Sequence, residues 1–287
     1  MAELTRLVLV TGMTGAGRGT AAKGLEKLGY YVIDNLPPEL LVSTVDTVER
    51  FGSTDKLAVV VDARSGPFFA VLVDVLEKLR SLGKHAQILF LEAADDVLVR
   101  RQEAARRPHP LSREGRLMDG FTRERDLLRT LRGRADIVID TTNLNVHQLG
   151  QQVQAAFEDA DSEGLRASVM SFGFKYGIPI DADMVADLRF LPNPHWVDDL
   201  RPLSGLDEPV RDYVRKQPRA EEFLDRYEGL VALLTDGFLH EDKHFLTIAL
   251  GCTGGRHRSV AMAEAFAERL RAHDVRTLVV HRDLGKE

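Results

Sequence analysis

RLVLVTGMTGAGRGT, Arg6 to Thr20, sets an apolar run directly against a glycine-rich one. The apolar half is short and rich in Val and Leu, as a strand buried on both faces requires. The glycine half follows the phosphate-loop pattern G-x-x-x-x-G-K-[ST] until its last two positions. There Arg18 replaces the lysine and Gly19 replaces the hydroxyl residue. Thr20 comes one residue late, and one residue along a helix turns a side chain by about 100°. Glycines let backbone N–H groups turn around a phosphate, and the helix that follows adds partial positive charge. A guanidinium can grip phosphate oxygens in a fork, although its geometry differs from a lysine point charge. Two readings follow: a nucleotide loop that binds better than it hydrolyses, or a glycine-rich β–α turn of some other α/β fold.

Further along the first half, Leu57–Asp62 is an apolar strand ending in an acid, the arrangement that holds Mg²⁺ in many nucleotide sites. Asp34 follows the second strand and is placed at the carboxyl edge of a parallel sheet, where ligands bind in open α/β folds. A turn with an N-cap is its plainer reading. Arg18, Asp34 and Asp62 are thus the candidate catalytic residues, and Asp62 the candidate Mg²⁺ ligand. Arg100, Arg101, Arg106 and Arg107 form a basic run before Pro108. They read either as a lid over phosphates or as a solvated helix face.

The surrounding pattern alternates β and α. Strands are expected at Arg6–Thr11, Tyr30–Ile33, Leu57–Asp62, Gln87–Leu91 and Asp136–Asp140, with helices between them and a last one at Val146–Phe157. That alternation predicts a parallel sheet covered by helices. An acidic, small-residue stretch, Glu158–Leu165, reads as a linker. A second α/β domain is expected over 166–287, with strands at Arg166–Phe172, Val185–Phe190, Phe245–Leu250 and Thr277–His281, and helices at Ala220–Leu234 and Ser259–Ala272. Pro192, Pro194, Pro202 and Pro209 argue for irregular chain from Leu191 to Pro209.

The second half contains its own glycine loop between a strand and a helix, Cys252-Thr-Gly-Gly-Arg-His-Arg258-Ser259. Cys252, Thr253, Gly254, Gly255, Arg256, His257 and Arg258 make it an anion nest. The C-x₅-R-S spacing is also that of protein tyrosine phosphatases. A thiolate at a helix N-terminus beside basic groups would be activated, but no aspartate is marked as the general acid. Phosphate binding, covalent catalysis and a structural turn therefore stand side by side. Lys175, Asp181, Asp183 and the Pro-flanked His195 fall near other predicted strand ends, and an imidazole there can meet a ligand and titrate near neutral pH.

Bulk properties set limits. The chain has 287 residues, 44% hydrophobic and 29% charged, with one cysteine and a formal charge of −6. That excludes an internal disulfide framework and disfavours indiscriminate nucleic-acid binding. No apolar run nears the ~18 residues of a membrane span, and the N-terminal run ends too soon for a signal peptide, so a cytoplasmic protein is expected.

Taken together, GMTGAGRGT, DNLPPELL, VVVDARS, RRPHPLS, DTTNLNVHQL, SFGFKYGIPIDADMVADLRFLPNPHW, LRPLSGLDEPV and IALGCTGGRHRSVAMAE resemble the RapZ/YvcJ family of nucleotide-binding proteins, also described as RNase adapters. The likeness runs over nearly the whole chain. It implies a P-loop kinase-like domain over 1–157 that binds ATP and GTP and hydrolyses them slowly. The ATP loop is then Gly12, Met13, Thr14, Gly15, Ala16, Gly17, Arg18, Gly19 and Thr20, and the GTP-associated segment Asp62, Ala63, Arg64 and Ser65. It further implies a C-terminal phosphosugar site at His195, Cys252, Thr253, Gly254, Gly255, His257 and Arg258, with glucosamine-6-phosphate the ligand in the enterobacterial branch. That branch also binds small RNA, presents it to an endoribonuclease as a regulatory partner, and forms homo-oligomers. A P-loop kinase of small molecules or proteins and an RNA-binding adapter are the competing functions. Two departures weaken the inheritance. Arg18-Gly19 replaces Lys-Ser, and the basic tail that helps to hold RNA is missing: residues 165–287 carry 17 Lys and Arg against 20 Asp and Glu.

Overall fold

The computed structural model describes residues 4–52, 54–62, 69–106, 108–112, 116–158, 165–241 and 243–286. Ala63, Arg64, Ser65, Arg107 and residues 159–164 of the expected linker lie outside them. The chain forms two compact units, 1–160 and 161–287.

In the first unit, β1 (Arg6–Gly12), β2 (Tyr31–Ile33), β3 (Lys56–Val60), β4 (Ala86–Glu92) and β5 (Ile137–Asp140) form one parallel sheet in the order β2-β3-β1-β4-β5. Leu7, Val8, Leu9 and Val10 of β1 are buried, because helices cover both faces of a central strand. Those helices are α1 (Arg18–Lys27), α2 (Leu41–Phe51), α3 (Phe69–Ser81), α4 (Asp95–Ala105), α5 (Leu117–Gly133) and α6 (Val146–Phe157). Strands β2 and β3 lie on one side of β1 and strands β4 and β5 on the other. The loop after β1 therefore opens at the carboxyl edge where the chain changes sides, the place where open α/β sheets bind ligands. Gly12 is required there: its φ is 132°, and a Cβ would lie 2.0 Å from the Leu91 carbonyl oxygen.

In the second unit, β6 (Arg166–Gly173), β7 (Met184–Asp187), β8 (Phe245–Cys252) and β9 (Arg276–His281) form a parallel sheet in the order β7-β8-β6-β9. Every residue of β6 and β8 is buried. Helices α7 (Glu208–Arg215), α8 (Ala220–His240) and α9 (Arg258–Ala272) complete it. Val169, Leu246, Ile248, Leu250, Val210 and Phe266 share its core. The register pairs Gly173 with Cys252, so the turns leaving β6 and β8 emerge side by side.

The α/β class and the parallel sheets agree with the sequence. Some bounds differ, and one helix was not foreseen. Helix α8 runs on to His240 rather than Leu234, and β3 ends at Val60, two residues before Asp62. β7 ends at Asp187 rather than Phe190, because the Asp187 carboxylate accepts both the Arg189 amide and its guanidinium and turns the chain. Helix α7 was hidden by Pro209, which argues against helix in an interior but is tolerated in a first turn, where no N–H partner is needed. Among the described residues, no helix is long and apolar enough to cross a membrane.

Candidate functional site

The loop from Gly12 to Thr20 joins β1 to α1 with three glycines at positive φ, Gly12, Gly15 and Gly17. Some of its polar groups are already engaged: the Met13 amide donates to the Leu91 carbonyl at 2.8 Å and the Ala16 amide to the Met13 carbonyl at 3.0 Å. The Thr14 amide donates to both carboxylate oxygens of Glu124 at 3.0 Å, and the Thr14 hydroxyl donates to Oε1 at 2.7 Å. Glu124 is fully buried on α5 and also faces His109 Nε2 at 3.1 Å. The Leu111 amide donates to His109 Nδ1, so Nε2 carries the ring proton and donates to Glu124. A buried chain thus ties the HPL turn (109–111) to the phosphate loop. A carboxylate already sits on one of the amides that a glycine loop offers to an anion.

Arg18 is also engaged. Its Nη1 donates to the Gly12 carbonyl at 2.9 Å, and Nη2 lies 3.1 Å from Asp62 Oδ2. The structure therefore brings Arg18 and Asp62 together as the sequence reading required, but as partners of each other. Asp34 is exposed on the turn after β2. The arginine run divides. Arg100 pairs with Asp96 on a solvated face, whereas Arg101 donates to the carbonyls of Gly15 and Thr141 and to the Thr141 hydroxyl. Burial lowers the pKa of Arg101, opposed by Asp140. Arg101 buttresses the loop from outside.

The second loop has a different character. Lys175, Asn193, His195, Trp196, Arg201 and the residues Cys252–Gly254 and Arg256–Arg258 line a cavity of about 490 Å³ over the N-terminus of α9. Gly173 makes this approach feasible, since a Cβ there would lie 2.6 Å from the Gly254 carbonyl carbon. The segment 202–205 holds the loop's other flank. Arg256 donates to the carbonyls of Leu203 and Pro202, and the Gly205 amide donates to the Arg256 carbonyl at 2.8 Å. Arg258 is buried, with Nη1 on the Leu191 carbonyl at 2.9 Å and Nη2 on the Thr253 hydroxyl at 3.2 Å. His195 is presented by a turn capped by Asn193, and Arg201 donates to its carbonyl at 3.0 Å.

His257 is 7% exposed. Burial holds its pKa below the usual imidazole range, against the raising effect of backbone hydrogen bonds to Arg201 and Leu203; Arg256 and His195 lower it further. Nε2 is buried with no protein hydrogen-bond partner. His257 thus lines the cavity as a ring that burial keeps towards its neutral form, while the arginines bring charge to the same wall. Cys252 is 3% exposed; its Sγ accepts the Gly255 amide at 3.3 Å and lies 3.1 Å from Ser259 Oγ. The thiol ties the loop to the first turn of α9. From behind, Asp283 accepts the Gly173 amide at 2.8 Å and bonds Arg282 and Lys286. Burial opposes its ionisation, but those bonds overcome it and hold the carboxyl below the usual range.

Glu124, Arg201 and Asp283 were not singled out by the sequence reading. Arg201 carries a signal in hindsight, in LRPLSG among prolines. Glu124 carries none: it lies in a charged helix, 110 residues from the loop that it serves. A Ser171–His281–Glu264 chain, at 2.9 and 3.0 Å, has the order of a nucleophile–base–acid relay. Ser171 is fully buried within β6, and the chain ties β9 to its neighbour.

Residues 5–161 match the model of the RapZ-like N-terminal domain, and residues 165–285 that of the RapZ C-terminal domain. A "Nucleotide-binding protein" of Nocardioides sp. is 60% identical over 282 residues, 98% of this chain and 93% of that protein. Another, of Thermobifida fusca, is 55% identical over 285 residues, 99% and 97%. Among solved structures, shikimate kinase from Bacteroides thetaiotaomicron aligns with a TM-score of 0.39 at 18% identity, over 53% of this chain and 98% of that one. The sheet topology, not that alignment, defines the fold. With both halves matched and full-length relatives above half identity, the chain belongs to the RapZ-like family.

Proposed function

We propose that the protein is a nucleotide-binding regulator with two separate phosphate sites. A nucleoside triphosphate, ATP or GTP, occupies the loop Gly12–Thr20, and a phosphorylated sugar such as glucosamine-6-phosphate occupies the cavity over α9. The relatives' description as nucleotide-binding proteins supports the first site. The observation that carries the second is the cavity wall itself, where Lys175, Arg201, Arg256, Arg258 and His257 surround a glycine loop at the start of α9. The Nε2 of His257, buried without a protein partner, is a further polar group among the residues of that wall. A polar atom left bare in the interior costs free energy until a ligand meets it. The sugar phosphate's charged end would lie on the glycine loop among the basic side chains. Cys252 supports the loop rather than attacking phosphorus, because it is buried and engaged by Gly255 and Ser259. Hydrolysis at the first loop is slow, since Arg18 is tied to Asp62 and Gly12 and the next residue, Gly19, supplies no hydroxyl.

Isothermal titration with ATP, GTP and glucosamine-6-phosphate tests this reading. Saturable binding of a nucleotide and of the sugar phosphate is expected; if neither binds, the reading fails. RNA binding is not favoured by the charge of residues 165–287. Gel shifts across a salt series would restore the adapter function if they showed tight, salt-dependent complexes.

A further inference from the structure

The Arg18–Asp62 pair bears on what the first loop does with a divalent cation. In loops of this pattern the cation is held by the Ser or Thr hydroxyl after the lysine and by the acid at the end of a neighbouring strand. In this chain the first position is Gly19, which has no side-chain oxygen. The second is Asp62, and its carboxylate faces a guanidinium: Arg18 Nη2 lies 3.1 Å from Oδ2, with both side chains largely buried, at 12% and 6% exposure. Nη1 donates to the Gly12 carbonyl at 2.9 Å, so the guanidinium is fixed at two points. It cannot escape by losing its proton. Mg²⁺ demands an octahedron of oxygens at about 2.0–2.1 Å. At Asp62 it would have to displace a permanent positive charge or sit against it. Mg²⁺ at a nucleotide site usually keeps waters and takes only one or two protein carboxylates beside the phosphates, so the state of Asp62 decides whether it fits. The residues present do not fit a protein-held divalent cation.

We propose that Arg18, anchored by Asp62, stands in place of the metal, and that this loop binds a nucleoside triphosphate independently of divalent cations. The guanidinium has more N–H groups than its two contacts use, so it can meet phosphate oxygens without leaving Asp62. Asp62 is then a positioning residue for Arg18 rather than a metal ligand. The inference rests on the first loop being the nucleotide site.

The test is a pair of calorimetric titrations of the full-length protein with a non-hydrolysable ATP analogue, one in excess EDTA and one in excess Mg²⁺. The two dissociation constants are expected to agree within about threefold. A gain of about tenfold or more with Mg²⁺ overturns the inference while leaving the nucleotide site standing. Binding in neither buffer overturns the nucleotide reading and the inference with it. Arg18→Lys supplies a second arm: a compact ammonium cannot span both anchors, so this variant is expected to bind weakly in EDTA and to regain about tenfold in Mg²⁺. An Arg18→Lys variant that binds as the wild type does in both buffers contradicts the role given to the guanidinium. If it does not fold, the wild-type titrations decide alone.

Discussion

The two glycine loops share one plan, a parallel strand, a turn rich in glycine and a helix N-terminus, yet they are finished differently. The first is filled from inside: Glu124 caps Thr14, and Arg18 closes on Asp62. The second is braced from outside, by Asp283 behind it and the 202–205 segment beside it, and borders a cavity lined by Lys175, Arg201, Arg256 and Arg258. A glycine loop in sequence therefore specifies an anion-binding backbone but not whether that backbone is free. The side chains that decide this come from distant segments.

The comparison can be broken most forcefully at Arg258. Arg258→Ala removes a buried cation that bonds Leu191, Arg189 and Thr253 and faces the ligand cavity. We expect about 3 kcal/mol of lost stability in urea denaturation and, by calorimetry, about a hundredfold weaker sugar-phosphate binding. Glu124→Gln is the corresponding change at the first loop. Its NH₂ end would have to face a group that now donates to the carboxylate, either the His109 N–H or Thr14. Destabilisation of about 1–3 kcal/mol is expected, with sugar-phosphate affinity unchanged. A matching loss of that affinity would contradict the independence of the two loops.

Asp283→Asn separates bracing from binding. It keeps an acceptor for Gly173 but loses the charge that Arg282 and Lys286 stabilise, for about 1 kcal/mol. Because the folded pKa is depressed, this contribution is present above the ordinary value of 3.8 and is lost as pH falls through the lower folded value. The stabilities of wild type and variant should therefore begin to approach each other below pH 3.8 and meet below the depressed folded value. The smallest effect belongs to His257. Its pKa is also depressed, so just below 6.5 the unfolded chain binds more protons than the folded one, and stability falls as the pH drops below 6.5. His257→Gln should remove that part of the pH dependence, measured as thermal midpoints at pH 7 and below. An unchanged profile would mean that the ring is not held neutral.

Much of this was legible before the structure. Periodicity marked nearly every strand, because strands buried on both faces must be apolar throughout, as Leu7–Val10 and Phe245–Leu250 are. Both loops were legible because glycine is needed wherever backbone packs this closely. Arg18 and Asp62 were expected at one site but in separate roles, on phosphate and on Mg²⁺; their pairing was not legible, since strand order alone does not say whether a guanidinium turns to a phosphate or to an acid. Helix α7 was obscured by Pro209, a residue whose meaning depends on whether it falls in a first turn or an interior. Glu124 was invisible, because a carboxylate in a helix as charged as FTRERDLL looks like a solvated face until tertiary packing buries it.

The central claim is that the loops are two distinct phosphate sites. Sequential calorimetric titration of one sample, first with ATP and then with glucosamine-6-phosphate, tests it most directly. The account predicts that each ligand binds at about one per chain, that the second binds in the presence of the first, and that Arg258→Ala removes only the sugar phosphate. Displacement of one ligand by the other, or loss of both in Arg258→Ala that still melts cooperatively, would contradict it.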